Sequence, residues 1–356
     1  MTSRTSRLPH PPHSSHSPSH PSAARRRGPL VFLAVAYLGM WLAMAPLLLT
    51  GFHRSDGRAR MSALTEICVG AAMFAPALAA LLVIRCVEPA GRVRDALALR
   101  FPRPWGRTAR SCLTALLVPG ALTAAALALG TATGTYPYGG ADLGALGGWA
   151  AGTAVQMALS LPLFFGEELG WQGYLFPRLA RGRTGARLIP AYLATGAAFA
   201  LWHLPTLLMG GQYLDRPWYL AVPAMLVSCT LILPVFTWLR TRSGSVVPAV
   251  IGHAFVSTAA VGLVRVFADP RAPLDPLVMG LTGWPGWVVT GAFVAFLALT
   301  GRLGFPSPEQ RSAASDASDV PMASPASDAP AASEDSAAVQ VRKARETTAD
   351  GGLRTP

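Results

Sequence analysis

The sequence is poor in charge, and it has almost no lysine. Asp, Glu, Lys and Arg make up 13% of the 356 residues, Lys343 is the only lysine, and asparagine is absent. A soluble globular domain is about a quarter charged, so an ordinary soluble fold is excluded. The four cysteines (Cys68, Cys86, Cys112 and Cys229) show no CxxC spacing. That excludes a disulfide framework and a cysteine-built metal site, and they read as small packing residues. With so little lysine, the formal net charge of +12 is an arginine property. A basic balance can signal nucleic acid. Here the arginines flank apolar blocks, which is the pattern of a membrane surface, and no nucleic-acid partner is expected.

What is present is apolar sequence in long runs. Residues 1–28 are rich in Ser, Pro, His and Arg and cannot bury enough apolar surface to order themselves. Their histidines (His10, His13, His16, His20) read as part of a solvated tail. Arg25, Arg26 and Arg27 then precede a run long enough to span a bilayer, which reads as an uncleaved first span rather than a signal peptide. Residues 302–356, rich in Ala, Ser, Asp and Pro, read as a second disordered tail. Between them, residues 29–301 form the expected membrane domain. A span needs roughly 20 predominantly apolar residues. On that rule eight are expected: about 30–51, 62–84, 112–132, 148–176, 188–209, 218–239, 246–267 and 285–301. The fold class is thus all-α, a polytopic membrane helical bundle.

Arginine placement gives the orientation. Arg85, Arg92, Arg94, Arg100, Arg103, Arg107 and Arg110 share one linker. Arg178, Arg181, Arg183 and Arg187 follow the fourth span, and Arg240 and Arg242 follow the sixth. All fall on one side if both termini are cytoplasmic. Arg54, Arg58 and Arg60 in the first outer loop are a partial violation. The expected location is the cytoplasmic membrane of a prokaryote.

Few acids or histidines fall inside the spans: Glu66 near an outer helix end, the adjacent pair Glu167 and Glu168, and the histidines His203 and His253. An ionisable residue at bilayer depth costs a few kcal/mol or more and points to function. Two adjacent carboxylates raise the cost. At about 1.5 Å per helical residue, Glu167 and His253 each lie roughly 16 Å in from the cytoplasmic arginines, and His203 roughly 24 Å. Pro190 suggests a later helix start, which would bring His203 nearer. Three spans can therefore place Glu167, His203 and His253 around one cavity. Glu168 and Gln172, Phe199 and His203, and His253 and Ser257 are pairs four residues apart that share a helix face. Gly166, Gly170 and Gly173 offer small faces for close packing.

A buried glutamate and histidine can polarise and deprotonate a water, and a second histidine with a hydroxyl can donate to an oxyanion. Glu167, His203 and His253 also suit a zinc shell. A proton relay in a transporter could use the same residues.

At these residues the chain resembles the type II CAAX prenyl endopeptidase and bacteriocin-processing proteins, the Abi or CPBP intramembrane proteases. The motif Glu-Glu-x-x-x-Arg reads Glu167-Glu168-Leu-Gly-Trp-Gln172 here. Phe-x-x-x-His is matched by Phe199-Ala-Leu-Trp-His203. The third motif, His followed four residues later by Asn or another small or polar residue, is His253-Ala-Phe-Val-Ser257. The resemblance covers about residues 145–265. It implies an intramembrane endopeptidase in which Glu167 and His203 activate water. His253 and Ser257 would stabilise the oxyanion, and Glu168 would orient the site through residue 172, with Phe199 in support. The expected substrate is a peptide or protein segment, lipidated or membrane-inserted segments included, that enters from the cytoplasmic side or from the bilayer. Whether zinc or a glutamate-activated water does the chemistry is left open. Gln172 stands where the motif has arginine: it can hydrogen-bond Glu168 but cannot neutralise it. Ser257 reaches less far than asparagine. These two departures motivate the alternative of a weak or inactive immunity or scaffold protein on the same fold.

Overall fold

The computed structural model describes residues 23–56, 63–89, 92–101, 105–140, 142–214 and 216–304. The two expected tails fall almost wholly outside the described residues, although helix α1 begins at Ala23, inside the stretch read as the first tail. The described chain is mainly helical, with a single isolated bridge, Tyr138 to Ala268, and no named strand among the described residues.

The long helices are α1 (Ala23–Leu49), α2 (Ala63–Cys86), α4 (Trp105–Ala132), α5 (Leu143–Glu168) and α9 (Trp218–Ser243). The short α3 (Val93–Ala96) lies between α2 and α4. Helix α5 runs on through a π-helical segment, Leu169–Leu175, into α6 (Phe176–Leu179). Helix α7 (Ile189–Trp202) is followed by α8 (Leu204–Leu208). Helix α10 (Val247–Ala254) continues through a second π-helical segment, Phe255–Ala260, into α11 (Val261–Val266), and α12 is Trp284–Leu299.

Among the described residues six stretches are long and apolar enough to cross a membrane: Arg27–Leu49, Ala63–Cys86, Trp105–Ala132, Leu143–Leu179, Trp218–Ser243 and Val247–Val266. The other two expected spans are shorter. Helix α7 has 14 residues and α12 has 16, about 21 and 24 Å at 1.5 Å per residue against a hydrocarbon core of about 30 Å. The stretch expected as one span over 188–209 is broken at His203. Pro205 has no N–H to give the Leu201 carbonyl, so α7 stops and α8 restarts at Leu204.

The chain alternates between two ends of the bundle. At one end Val246 N donates to Ala98 O (3.1 Å), Tyr192 Oη to Leu303 O (3.0 Å) and Arg178 Nε to Glu88 Oε2 (2.7 Å). Arg178 also lies over the Tyr174 ring, 4.9 Å from its centroid. At the other end Arg54 N donates to Met209 O (2.9 Å), Gly139 N to Phe267 O (2.9 Å) and Tyr213 Oη to Thr282 O (2.9 Å). Arg216 pairs there with Asp275. Glu66 sits exposed in the first turn of α2, a helix-end carboxylate as expected.

Small residues let the helices meet closely. A Cβ on Gly166 would lie 2.7 Å from Met73 O, and one on Gly170 would lie 2.8 Å from Pro76 O, so α2 presses its backbone against the end of α5 and the first π segment. Gly196 does the same for α7 against α9, where a Cβ would meet Thr230 Cα at 2.7 Å. Such contacts are how helices associate where no water drives burial. Tyr37 Oη donates to Ala198 O (2.7 Å) and Trp202 Nε1 to Ala36 O (3.2 Å), tying α7 to α1.

Candidate active site

The end of α5 delivers Glu167 and Glu168 into the interior at 3% and 1% exposure. The end of α7 delivers His203, and α10 delivers His253; both are buried. Each sits at or beside a break in regular α-helix: Glu168 ends α5 before the first π segment, His203 caps α7, and His253 lies next to the second π segment. π-Helical turns widen the helix by one residue and occur often at functional sites.

His253 Nδ1 lies 2.8 Å from Glu168 Oε1, linking α10 to α5. The His253 ring is enclosed by Phe164 (centroids 4.7 Å apart), Phe236 (5.2 Å, stacked) and Phe199 (5.5 Å, edge-on). His203 Nδ1 lies 2.9 Å from the Phe199 carbonyl oxygen. A carbonyl only accepts, so Nδ1 of His203 carries the proton, and in the neutral ring Nε2 is an acceptor. The Phe199 ring also meets His203 edge-on at 4.9 Å, so one phenylalanine borders both imidazoles. Glu167 interacts electrostatically with His253, and both glutamates with Cys229 on α9. Glu167 Oε2, Glu168 Oε2 and Gln172 Nε2 are buried without a protein partner. Buried polar atoms of this kind need an explanation, and here they cluster at one place in the bundle.

The structure thus brings Glu168, His253, Phe199 and His203 into one contiguous cluster, with Glu167 beside them. Two expected site contacts differ. Gln172 does not bond Glu168: its Oε1 accepts from the Thr237 hydroxyl on α9 (3.1 Å), and Glu168 bonds His253 instead. Ser257 is exposed and is not brought into the cluster. The second π segment accounts for this, because its wider turn gives the inward position to Thr258, which is buried and donates to Ala254 O at 2.6 Å. Phe164, Phe236, Thr237 and Thr258 are the residues that sequence reasoning missed. Phe164 stands next to the Glu pair in sequence, but the other three carry no motif signal.

Glu167, His203 and His253 are the residues that would hold a zinc. Among the described residues no group of three or more His, Cys, Asp and Glu is arranged to hold a metal ion. One Nδ1 is taken by a carbonyl and the other by Glu168, which leaves Nε2 of each histidine as its free ring nitrogen.

Buried carboxylates and imidazoles inside a bundle of membrane-length apolar helices define an integral membrane protein with an internal polar centre. Residues 148–259 match a family model, Rce1-like, described as type II CAAX prenyl endopeptidase Rce1-like. The match is to a protease family, and it is the family that the three motifs resemble. It runs from α5 into the second π segment and takes in Glu167, Glu168, His203 and His253. No curated protein matches the chain.

Proposed function

We propose that this protein is an intramembrane endopeptidase that hydrolyses a peptide bond with a water activated by Glu167 and His203. The observation that carries the proposal is the buried cluster itself. Two carboxylates with unpartnered oxygens lie beside two imidazoles whose Nδ1 atoms are both engaged, within a segment matched by a protease family. Each histidine therefore has only Nε2 left for water or substrate. Glu167, next to the cluster and unpartnered at Oε2, takes the proton of the attacking water. His203, with its proton fixed on Nδ1 by Phe199, accepts from that water through Nε2 and orients it. His253, as an imidazolium balanced by the Glu168 carboxylate, donates from Nε2 to the oxyanion that forms. Glu167 then passes its proton to the leaving amine. The apolar bundle keeps bulk water out, which strengthens each of these interactions.

The substrate is a peptide or protein segment presented from the bilayer or from the arginine-rich end, which we place in the cytoplasm on the positive-inside rule. The test uses purified protein in nanodiscs and a peptide library. Glu167→Gln preserves shape and removes the base, and it is expected to lower kcat by about 10²–10⁴-fold with the helical circular dichroism unchanged. Wild-type cleavage by Glu167→Gln overturns the assignment.

A further inference from the structure

Glu168 ends α5, and Gln172 follows four residues later within the first π segment. Each has one buried polar atom without a protein partner, an acceptor (Glu168 Oε2) and a donor (Gln172 Nε2). The opposite end of each side chain is held. Glu168 Oε1 is on His253 Nδ1 at 2.8 Å, and Gln172 Oε1 is 3.1 Å from the Thr237 hydroxyl, which also reaches Leu233 O at 3.0 Å. An amide whose oxygen is fixed turns its NH₂ to the opposite side. Two pairs thus cross between helices, Thr237 of α9 with Gln172 of the first π segment and His253 of α10 with Glu168 at the end of α5. The terminal torsion of a glutamate is broad and two-fold. A carboxylate held by one oxygen alone can swing, and each swing takes Oε1 off His253.

We propose that Thr237 and Gln172 are the positioning residues of Glu168. Thr237 fixes the Gln172 amide, the amide NH₂ serves Glu168 Oε2 through one ordered water, and the carboxylate is locked onto His253. A bridging water does this nearly as well as a direct bond. A neutral amide leaves the Glu168 charge to be balanced by His253 alone, which keeps the imidazolium on the substrate side. The catalytic consequence rests on the endopeptidase reading above; the positioning does not.

The experiment uses the full chain in nanodiscs, labelled with ¹⁵N-histidine, with His253 assigned through His253→Ala. One readout is the imidazole ¹⁵N signature of His253. The other is kcat and KM on a peptide the wild type cleaves. Thr237→Val and Gln172→Met are each expected to split the single His253 signature into a mixture. Each should also lower kcat about tenfold, with KM within twofold and an unchanged unfolding midpoint. Thr237→Ser restores both readouts. The double variant is no worse than Gln172→Met alone, as for links of one chain. A wild-type His253 signature in Gln172→Met overturns the proposal, and so do additive losses in the double variant. If the wild type cleaves nothing, the endopeptidase reading fails, and the ¹⁵N readout still decides the positioning. If Thr237→Val does not fold, Gln172→Met alone decides.

Discussion

Gly170→Ala tests how the Glu pair is held in place. The added Cβ would lie 2.8 Å from Pro76 O and 2.9 Å from Pro76 C, and against Pro76 Cβ. Non-bonded carbon contacts sit at about 3.5–4.0 Å, so α2 must retreat by about 1 Å. The obstacle is helix backbone at a proline, not the end of a flexible side chain. Overpacking of this kind costs about 1–3 kcal/mol. Replacing glycine by alanine within a helix returns about 0.5–1 kcal/mol. The expected net loss is about 1–2 kcal/mol. Gly147 is the matched control, since a Cβ there meets nothing within 4 Å; Gly147→Ala is expected to be neutral or slightly stabilising. The assay is reversible unfolding in mixed micelles with rising SDS, read by circular dichroism, with peptide cleavage measured in parallel. Glu168 is two residues from Gly170, and a 1 Å misplacement can cost about 10²-fold in rate. Gly170→Ala with the midpoint and rate of Gly147→Ala would refute the idea that close approach of α2 positions the site.

Three further outcomes are expected. Ser257→Ala leaves kcat/KM within twofold, because the serine is exposed and outside the cluster; a loss of tenfold or more would restore it to the site. Prolonged chelation with a strong zinc ligand leaves cleavage unchanged, and elemental analysis of the active protein finds less than stoichiometric metal; loss on chelation with recovery on adding zinc would contradict the metal-free route. Glu88→Gln lowers stability by about 1–2 kcal/mol, between the values for exposed and buried pairs, since Glu88 and Arg178 are 18% and 14% exposed. An unfolding midpoint equal to wild type would show that this pair contributes nothing to holding the α6 end against α2.

The sequence by itself determined the class of the protein and the composition of its centre. Apolar runs separated by arginine clusters can only be membrane helices, because hydropathy and length are sums over a local stretch. Likewise, a Glu pair and two histidines inside such runs are too costly to be incidental, and the structure does bury all four. Close packing at Gly166 and Gly170 was also legible, since small residues four apart in a membrane helix have few other uses.

Only the tertiary structure decided which polar group meets which. Four-residue spacing assigned Glu168 to Gln172 and His253 to Ser257, on the assumption of unbroken α-helix. Two π segments break that assumption at both places, and no local signal announces them. Glu168 instead finds His253, 85 positions away, and Gln172 finds Thr237, 65 positions away. The reason is physical. A pairing between helices depends on how each is rotated about its own axis. That rotation is set by where backbones are forced together, as at Gly170 against Pro76, and not by the residues that pair.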